Sequence, residues 1–311
     1  MHLAMSILIR DEADVIEANV RHHAAAGVSS FIVTDNGSVD GTREILDTLS
    51  NEFDLSIIDE PSKTIDQDLW VSRMASQLQE QGRADWVINN DADEFWVTTG
   101  NTPLPEALTQ SLDHCDIPAR DVGVVNCSRS NFIGSRESVE GSSYSFSQNK
   151  YRVIRNWDNA PAELELNPED SSALMDNGKH VIIRTIPGKV ITRLDGLGSI
   201  NMGNHRAVHE LETIQTDRIE IAHYPIRDYQ QFERKVVNYG SSIENNKRFS
   251  DRVSFHLRRW YQSYKNNELI QTYDKIVLPQ QVLDSLVNKG ILKLETPALF
   301  AGEGKNTAKA A

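Results

Sequence analysis

Cysteine is scarce in this chain of 311 residues, which contains only Cys115 and Cys127. Two cysteines are too few for a disulfide framework, and their spacing is not that of a zinc site. We expect both to be ordinary buried thiols.

Long apolar runs are also lacking, because no segment approaches the roughly 20 apolar residues that a membrane-spanning helix needs. The apolar segment at the N-terminus is short, has no basic segment before it and is followed at once by Asp11-Glu12-Ala13-Asp14. It predicts a β-strand and not a signal peptide. We therefore expect a cytoplasmic protein with no transmembrane segment.

Basic residues are outnumbered, with 32 lysines and arginines against 45 aspartates and glutamates and a net charge of −13. This balance argues against a nucleic acid or an anionic membrane bound over the whole surface. Because 39% of the residues are hydrophobic and 25% charged, the composition is otherwise typical of a globular protein with a sizeable core. Metal cations and neutral substrates stay open as partners.

The first 90 residues alternate between strand-like and helix-like segments. Apolar runs predict strands at 3–9, 29–35, 55–59 and 86–90, and helical periodicity predicts helices between them, the first capped by Asp14. This βαβαβαβ order predicts an α/β fold with a mostly parallel sheet flanked by helices.

The pattern of predicted strands and helices changes at about Pro118. Shorter strand candidates follow, at 122–127, 180–186, 189–194 and 218–224, and they predict an antiparallel extension of the sheet. After Pro225 the pattern is helical, at 229–247, 252–265 and 280–290, and residues 302–311 are typical of a frayed tail. We divide the chain into a main domain, 1–225, with halves 1–117 and 118–225, and a C-terminal helical extension, 226–311.

Polar motifs follow three of the predicted parallel strands. These are Arg10-Asp11-Glu12, Asp35-Asn36-Gly37-Ser38 and Asp91-Ala92-Asp93. Because ligands of such sheets gather at the carboxyl ends of the strands, we expect the three motifs to share one rim.

Three carboxylates, those of Asp91, Asp93 and Glu94, crowd into four positions between apolar segments. Carboxylates aimed at one point repel each other, and a shared proton or a divalent cation relieves the repulsion. We attribute the compensating charge to Mg²⁺ or Mn²⁺, held by Asp91 and Asp93, while Glu94 points elsewhere and orients the site or the acceptor. The alternative is a solvated acidic loop.

The segment 34–42, TDNGSVDGT, is the second candidate site. Asp35 ends a strand, where it can accept hydrogen bonds from a base or a ribose, and Gly37 and Gly41 permit tight turns. The alternative is a plain turn in which Asp40 caps the next helix.

These motifs carry a family resemblance. MSILIRDEADVIEANVRHHAAAGVSSFIVTDNGSVDGTREIL together with WVINNDADEFW resembles the nucleotide-diphosphosugar glycosyltransferases of the GT-A fold, in the family 2-like branch with a DxDEF signature. HYPIRDYQQFERKV resembles the closing segment of the same branch, so that the resemblance runs from Met1 to about Lys235. It implies that residues 1–117 bind the nucleotide-sugar and that residues 118–225 form the acceptor side.

The resemblance also implies roles for single residues. Asp35, with Asn36 and Gly37, would contact the nucleotide, and Arg10 and Glu12 would line the same pocket. The metal, Mn²⁺ or Mg²⁺, would be bound by Asp91 and Asp93, with Asp93 the more direct ligand, and by His223 from downstream. The alternative for His223 is a histidine at a strand end whose hydrogen bonds are all made within the protein.

Phosphate contacts are predicted from Lys179 or Arg184, or from the C-terminal helices. Between Pro225 and Lys265 nine basic residues stand against four acidic ones. Arg227, Arg234 and Lys235 are candidates for the diphosphate or for an anionic acceptor. Arg258-Arg259-Trp260 fits either a peripheral membrane contact or a solvated helical face, and we favour the solvated face.

The catalytic base is less apparent, because the Glu-Asp pair found late in the domain of many inverting members has no convincing counterpart. The segment DGLGSINMGNHRAVHE contains four candidates, namely Asp195, His205, His209 and Glu210. We favour His205, since a Gly203-Asn204 turn could project its ring into a cleft.

The sequence therefore predicts a metal-dependent glycosyltransferase that transfers a sugar from a nucleotide-diphosphosugar, a UDP-sugar, to a hydroxyl acceptor with inversion. Two alternatives stay open, a catalytically inactive nucleotide- or glycan-binding module and a nucleotidyltransferase. The second would normally have a glycine- and lysine-rich loop after the first strand, where this chain reads LIRDEADV.

Overall fold

The computed structural model of the protein describes residues 1–62, 66–139, 148–166, 172–245 and 255–295. Its strands are β1 (Leu3–Ile9), β2 (Ser30–Asp35), β3 (Leu55–Asp59), β4 (Trp86–Asp91), β5 (Glu94–Thr98), β6 (Val122–Ile133), β7 (Tyr151–Val153), β8 (Lys189–Arg193), β9 (Leu197–Ile200), β10 (Ala207–His209), β11 (Glu212–His223) and β12 (Leu292–Leu294). Its helices are α1 (Ile16–Ala25), α2 (Thr42–Ser50), α3 (Gln67–Glu80), α4 (Leu104–Asp113), α5 (Arg136–Val139), α6 (Ala160–Glu163), α7 (Tyr229–Asn245), α8 (Phe255–Lys265), α9 (Leu269–Ile276) and α10 (Gln280–Asn288).

The chain packs as two compact units. The first consists of Met1–Arg129 and Pro187–Ala222, and the second of the described residues within Ser130–Ile186 and His223–Ala311. The division into domains 1–225 and 226–311 stays a prediction, and the frayed tail at 302–311 lies outside the described residues.

The first unit is built on a sheet whose strands run in the order β6-β8-β4-β1-β2-β3. The four strands β4, β1, β2 and β3 are parallel, whereas β8 joins β4, and β6 joins β8, antiparallel. The α/β class, the mostly parallel sheet and its antiparallel extension are therefore confirmed. All six residues of β2 are buried, as expected for a strand that is covered on both faces.

Helix α3 covers one face of this sheet. Its residues Val71, Met74 and Leu78 recur at helical spacing and pack in one buried cluster with Ala4 of β1 and Val87 of β4. In the parallel register Ile9 lies opposite Asp35 and Leu8 opposite Asp91. The strands that precede the three polar motifs therefore end at the same level, and the motifs share one rim as predicted.

Two local predictions need correction. Asp14 is not the cap of α1, because Val15 holds the N-cap position and the first turn is made by amides of residues 15 and 16 that donate to Glu12 O. Within the described residues 180–186 form no strand, because the His180 ring accepts hydrogen bonds from Ile182 N and Ile183 N and folds the segment back on itself. Strand β5 and helix α4 were not predicted.

The second unit contains the last residues of β6, which pair with β7, and β7 pairs in turn with β12. Helices α7 to α10 pack into its apolar core through side chains that include Phe232, Trp260, Tyr273 and Leu283. The helical character predicted after Pro225 is confirmed, with α9 as an additional helix.

Candidate active site

The crowded carboxylates lie on a two-residue turn, here called the acidic turn, in which β4 ends at Asp91 and β5 begins at Glu94. Asp93 is 4% exposed and Glu94 is completely buried, whereas 36% of the Asp91 side chain is open to solvent. The negative charge therefore reaches from the interior to the rim of the sheet. A solvated acidic loop, the alternative from the sequence, is wrong for Asp93 and Glu94.

Two cations of the chain itself balance this charge. The Lys189 ammonium, fully buried at the start of β8, lies 2.6 Å from Asp91 Oδ2 and 2.6 Å from Glu94 Oε2. The Arg129 guanidinium of β6 forms an ion pair with Glu94 Oε1. Part of the charge that compensates Asp91 and Glu94 is therefore supplied by the chain itself, and a metal ion bound by Asp91 and Asp93 stays a prediction.

The backbone of the acidic turn is held from α1. Asn19 Nδ2 donates to Ala92 O at 2.9 Å and to Glu94 O at 2.8 Å, and Asn90 Nδ2 donates to Glu94 O at 3.2 Å. His23 Nε2 accepts a hydrogen bond from Trp96 N at 3.0 Å, and burial holds the His23 pKa well below its ordinary value, so that the ring is neutral. We name this set of contacts the α1 clamp.

Asp35 is oriented by the loop that follows β2. Its Oδ1 accepts hydrogen bonds from Ser38 N at 3.0 Å and from Ser38 Oγ at 2.6 Å, and Oδ2 bonds to no residue that the structure describes. Asp40 caps the turn before α2, because its Oδ1 accepts from Thr42 N and Oγ1. Asp40 therefore serves the turn, although Gly41 holds the N-cap position of α2, and a contact between Asp35 and a nucleotide stays a prediction.

The first two polar loops are joined through Asp11, which the sequence analysis did not select. Asp11 N donates to Ser38 Oγ at 3.0 Å, and Asp11 Oδ1 accepts from Val39 N at 2.7 Å. Its φ of 56° lies in the left-handed region, which is strained for a residue with a Cβ and is frequent at functional sites.

The other predicted donor-side residues surround this junction. Arg10 Nε lies 3.9 Å from Asp11 Oδ2, and the backbone of the buried Glu12 donates to Thr42 Oγ1. Asn36 Nδ2 donates to Glu60 O and Ser62 O, so its side chain holds the loop after β3. A Cβ on Gly37, whose φ is 70°, would meet nothing within 4 Å.

His205 lies on the turn between β9 and β10, which passes through left-handed conformations at Gly203 (φ 79°) and Asn204 (φ 58°). A Cβ on Gly203 would lie 2.9 Å from His205 Cδ2, so the turn brings its own backbone close to the ring, and the projection of the ring into a cleft stays a prediction. His205 Nδ1 lies 2.7 Å from Gly188 O. Because a carbonyl oxygen only accepts, Nδ1 carries the proton and the neutral ring has its lone pair on Nε2.

The pKa of His205 lies below its ordinary value, chiefly because the ring is partly buried and also because of the nearby cations Arg129 and Lys189. The hydrogen bond to Gly188 O and the Glu94 carboxylate act in the opposite direction and raise the pKa of His205. His205 is therefore close enough to the acidic turn for the charges of Glu94 and Lys189 to affect its pKa. The lowered pKa favours a neutral imidazole at pH 7.

The other candidate bases are less suited to the role. Both nitrogens of His209 are engaged, with Nε2 at 3.1 Å from Arg193 O and Nδ1 accepting from Leu211 N at 2.9 Å. Asp195 and Glu210 are exposed, and Glu210 and His209 line a shallow surface cavity between β9 and β10.

Several predicted residues belong to the second unit. His223 Nδ1 contacts Asn131 Oδ1 at 2.7 Å, and Lys179 Nζ lies 4.0 Å from Asp158 Oδ1. The roles proposed for His223, Lys179, Arg184, Arg227, Arg234 and Lys235 stay predictions.

The surface of α8 does not fit a membrane contact through its tryptophan. Trp260 is 6% exposed and its indole donates to Ser172 O at 2.9 Å, so it belongs to the core. Arg259 pairs with Asp176 at 3.1 Å on an exposed helical face. No helix of the described ranges has both the length and the apolar character needed to cross a membrane.

The described residues contain no group of three histidine, cysteine, aspartate or glutamate side chains that could hold a metal ion. Mg²⁺ and Mn²⁺ sites in nucleotide-dependent enzymes often use one or two carboxylates, with water and substrate phosphates as the other ligands. Asp91, which is open at the rim, and the neighbouring Asp93 would suit a cation that enters with a diphosphate, and they would not suit a cage made of protein alone.

Comparisons with known proteins place the chain in a family. Among solved structures, S. aureus TarS 1–349 in complex with UDP-GlcNAc is 12% identical, over 88% of this chain and 72% of that chain, with a TM-score of 0.43. Glucosyl-3-phosphoglycerate synthase from Mycobacterium tuberculosis, in complex with Mn²⁺, UDP and glucosyl-3-phosphoglycerate, is 14% identical over 77% of this chain and 76% of that chain, with a TM-score of 0.37.

No curated protein matches the sequence. The model of Glycosyltransferase family 92 matches residues 4–267, which is most of the chain. The glycosyltransferase class predicted from the motifs is confirmed, although the matching family is 92, whereas the motifs had suggested a family 2-like branch. The chain belongs to glycosyltransferase family 92 and is a glycosyltransferase.

Proposed function

We propose that the protein transfers a sugar from a UDP-sugar to a hydroxyl acceptor, in a reaction that depends on Mn²⁺ or Mg²⁺ and inverts the anomeric carbon. The observation that carries the proposal is the hydrogen bond from His205 Nδ1 to Gly188 O, which leaves Nε2 as the basic nitrogen. Gly188 is next to Lys189, the residue that pairs with Asp91 and Glu94. An acid-rich turn for the donor and a base for the acceptor are the two elements that a single displacement at a sugar carbon requires.

The donor would be held at the rim formed by β1, β2 and β4. Asp35 Oδ2, which has no bonding partner among the described residues, is the acceptor for hydroxyl or N–H groups of the uridine. Arg10 and Glu12 border the same loop junction. Its rigidity, maintained by the Ser38 and Asp11 hydrogen bonds, supports a site that is formed before the ligand binds.

Asp91 and Asp93 are the proposed carboxylate ligands of the metal. When bound, a divalent cation would neutralise the charge that develops on the diphosphate leaving group. Because Lys189 and Arg129 already offset the charges of Asp91 and Glu94, a cation accompanied by phosphate is favoured over a cation alone. His223 is retained as a further candidate ligand on the resemblance alone.

His205 Nε2 would accept the proton of the attacking hydroxyl. Its tautomer supports this role, because Nδ1–H is held by Gly188 O and the lone pair on Nε2 is available. A pKa below the ordinary value keeps the ring unprotonated at pH 7. With a base in place and no covalent intermediate, the product would have the inverted configuration.

A panel of nucleotide-sugars tests the proposal, with melting temperature measured in the presence of Mn²⁺ or of a chelator and transfer measured with simple glycan acceptors. We expect UDP-sugars to raise the melting temperature only with the metal, since a ligand stabilises the form that binds it. If no nucleotide-sugar gives a metal-dependent shift, the proposal is wrong. Binding without transfer or donor hydrolysis would instead indicate an inactive binding module. The cytoplasmic location also stays a prediction.

A further inference from the structure

The segment Pro187-Gly188-Lys189 makes a separate contact through each of its residues. Pro187 O accepts a hydrogen bond from Arg129 Nε at 3.0 Å. Gly188 O lies 2.7 Å from His205 Nδ1, and Lys189 Nζ lies 2.6 Å from both Asp91 Oδ2 and Glu94 Oε2. Three consecutive residues therefore contact the candidate base, the rim carboxylate and the cation that pairs with Glu94.

We propose that this segment, here called the 187–189 bracket, sets the position of the acidic turn relative to His205, and that Lys189 is its positioning residue. The inference rests on the proposed function, because it assigns the bracket to the same reaction. Lys189 touches neither donor nor acceptor in this role, and it acts through Asp91.

The bracket has little freedom to move. A Cβ on Gly188 would lie 2.1 Å from the backbone oxygen of Cys127, so the β6 and β8 backbones approach as closely as only glycine permits. Lys189 follows at once and is fully buried. A displacement of this segment would have to move strand β6 as well.

Burial of the Lys189 ammonium also points to a role beyond stability. Replacing a buried ion pair by apolar groups of similar volume is often neutral or stabilising, so a buried lysine is poor evidence of a purely structural function. Its two partners differ in exposure, because Glu94 is completely buried and Asp91 is open at the rim. Lys189 thus connects a carboxylate fixed in the interior to the carboxylate that a ligand can reach.

Glu94 is the fixed end of this connection. Each of its carboxylate oxygens faces one cation, Arg129 on Oε1 and Lys189 on Oε2. Its carbonyl oxygen is held by Asn19 and Asn90. The side chain and the backbone of Glu94 are therefore both restrained, which gives Lys189 an immobile partner.

The test compares wild type, Lys189→Met and the double variant Lys189→Met/Glu94→Gln. The double variant keeps the net charge of the cluster, because one cation and one anion are removed together. Lys289→Met is the matched control, since Lys289 forms an exposed pair with Glu163. Melting temperature, kcat and KM for the donor are measured for each, with Mn²⁺ present.

We expect the double variant to melt within a few degrees of wild type while its kcat falls about 100-fold, the size of effect that a 1 Å misplacement produces. The KM of the donor should rise, because Asp91 is no longer held, and Lys289→Met should match wild type in all three quantities. A merely structural lysine would lower the melting temperature of Lys189→Met and leave the kcat of a well-folded double variant unchanged.

The outcomes separate this inference from the proposed function. A wild-type protein that transfers sugar, together with a folded double variant within twofold of its kcat, overturns the positioning role alone. A wild-type protein with no transfer to any acceptor overturns the proposed function and the bracket's role with it. If the double variant does not fold, Lys189→Met is used in its place. A normal kcat in the folded fraction of Lys189→Met would then overturn the inference.

Discussion

Replacing Asn19 by alanine should lower the free energy of unfolding by about 2–4 kcal/mol. Asn19 is completely buried, and its amide is the donor to Ala92 O, whereas Glu94 O keeps the bond from Asn90. An unpaired buried carbonyl costs roughly 1–3 kcal/mol, and the space left by the side chain adds about 1 kcal/mol. The loss should be accompanied by weaker metal-dependent donor binding, because Ala92 and Glu94 flank Asp93.

Urea unfolding followed by tryptophan fluorescence measures this loss, and Trp96 reports on the site directly, since its indole donates to Asn90 Oδ1. The control is Asn51→Ala at the exposed end of α2, where Asn51 Nδ2 donates to Asp47 O. A surface change of this kind should stay within about 0.5 kcal/mol. If the two variants are equally stable, the α1 clamp does not stabilise the acidic turn and the reasoning is refuted.

Three further predictions follow from the site. Asp93→Asn should abolish Mn²⁺-dependent UDP binding in calorimetry, because it removes a carboxylate oxygen that the metal would bind; unchanged affinity would contradict the metal assignment. His205→Asn should retain UDP binding and lose transfer, whereas His209→Asn should keep most of the transfer. The wild-type rate should fall as the pH decreases, with a midpoint below the ordinary histidine pKa of about 6.5, because the His205 pKa is lowered and the base must be unprotonated. Cys127, whose thiol pKa is raised by burial, should resist a thiol reagent in the folded protein while the partly exposed Cys115 reacts; rapid labelling of both would show that β6 opens readily.

The strands of the parallel sheet could be predicted closely because each is a compact apolar run. The prediction of 3–9 agrees with β1 residue for residue, and 55–59 agrees with β3. The segment 180–186 has an equally apolar pattern, but His180 bonds to the backbone that follows it, and a side chain that competes with a ladder is invisible in hydrophobic periodicity.

The candidate site could be predicted only where its residues are close in sequence. Asp35 and the acidic turn follow strands, and His205 could be chosen from the glycine two positions before it. Lys189 is 98 positions from Asp91, and nothing in KVITRL marks its ammonium as the partner of a carboxylate. Asn19 and His23 are polar residues on the apolar side of α1, which is a weak indication of a structural or functional role. Their role is apparent only from the structure, in which β5 lies beside α1.

The acidic turn and His205 sit on backbone of very different character. The turn is buried and bonded to α1, whereas His205 is carried by the two-stranded β9–β10 hairpin, on which Val208 is 60% exposed. We expect the amides of the turn to exchange with deuterium only when the unit unfolds, and those of the hairpin to exchange through local opening. Substitutions on β9 and β10 could then alter which hydroxyl is accepted while the part of the protein that holds the donor stays unchanged.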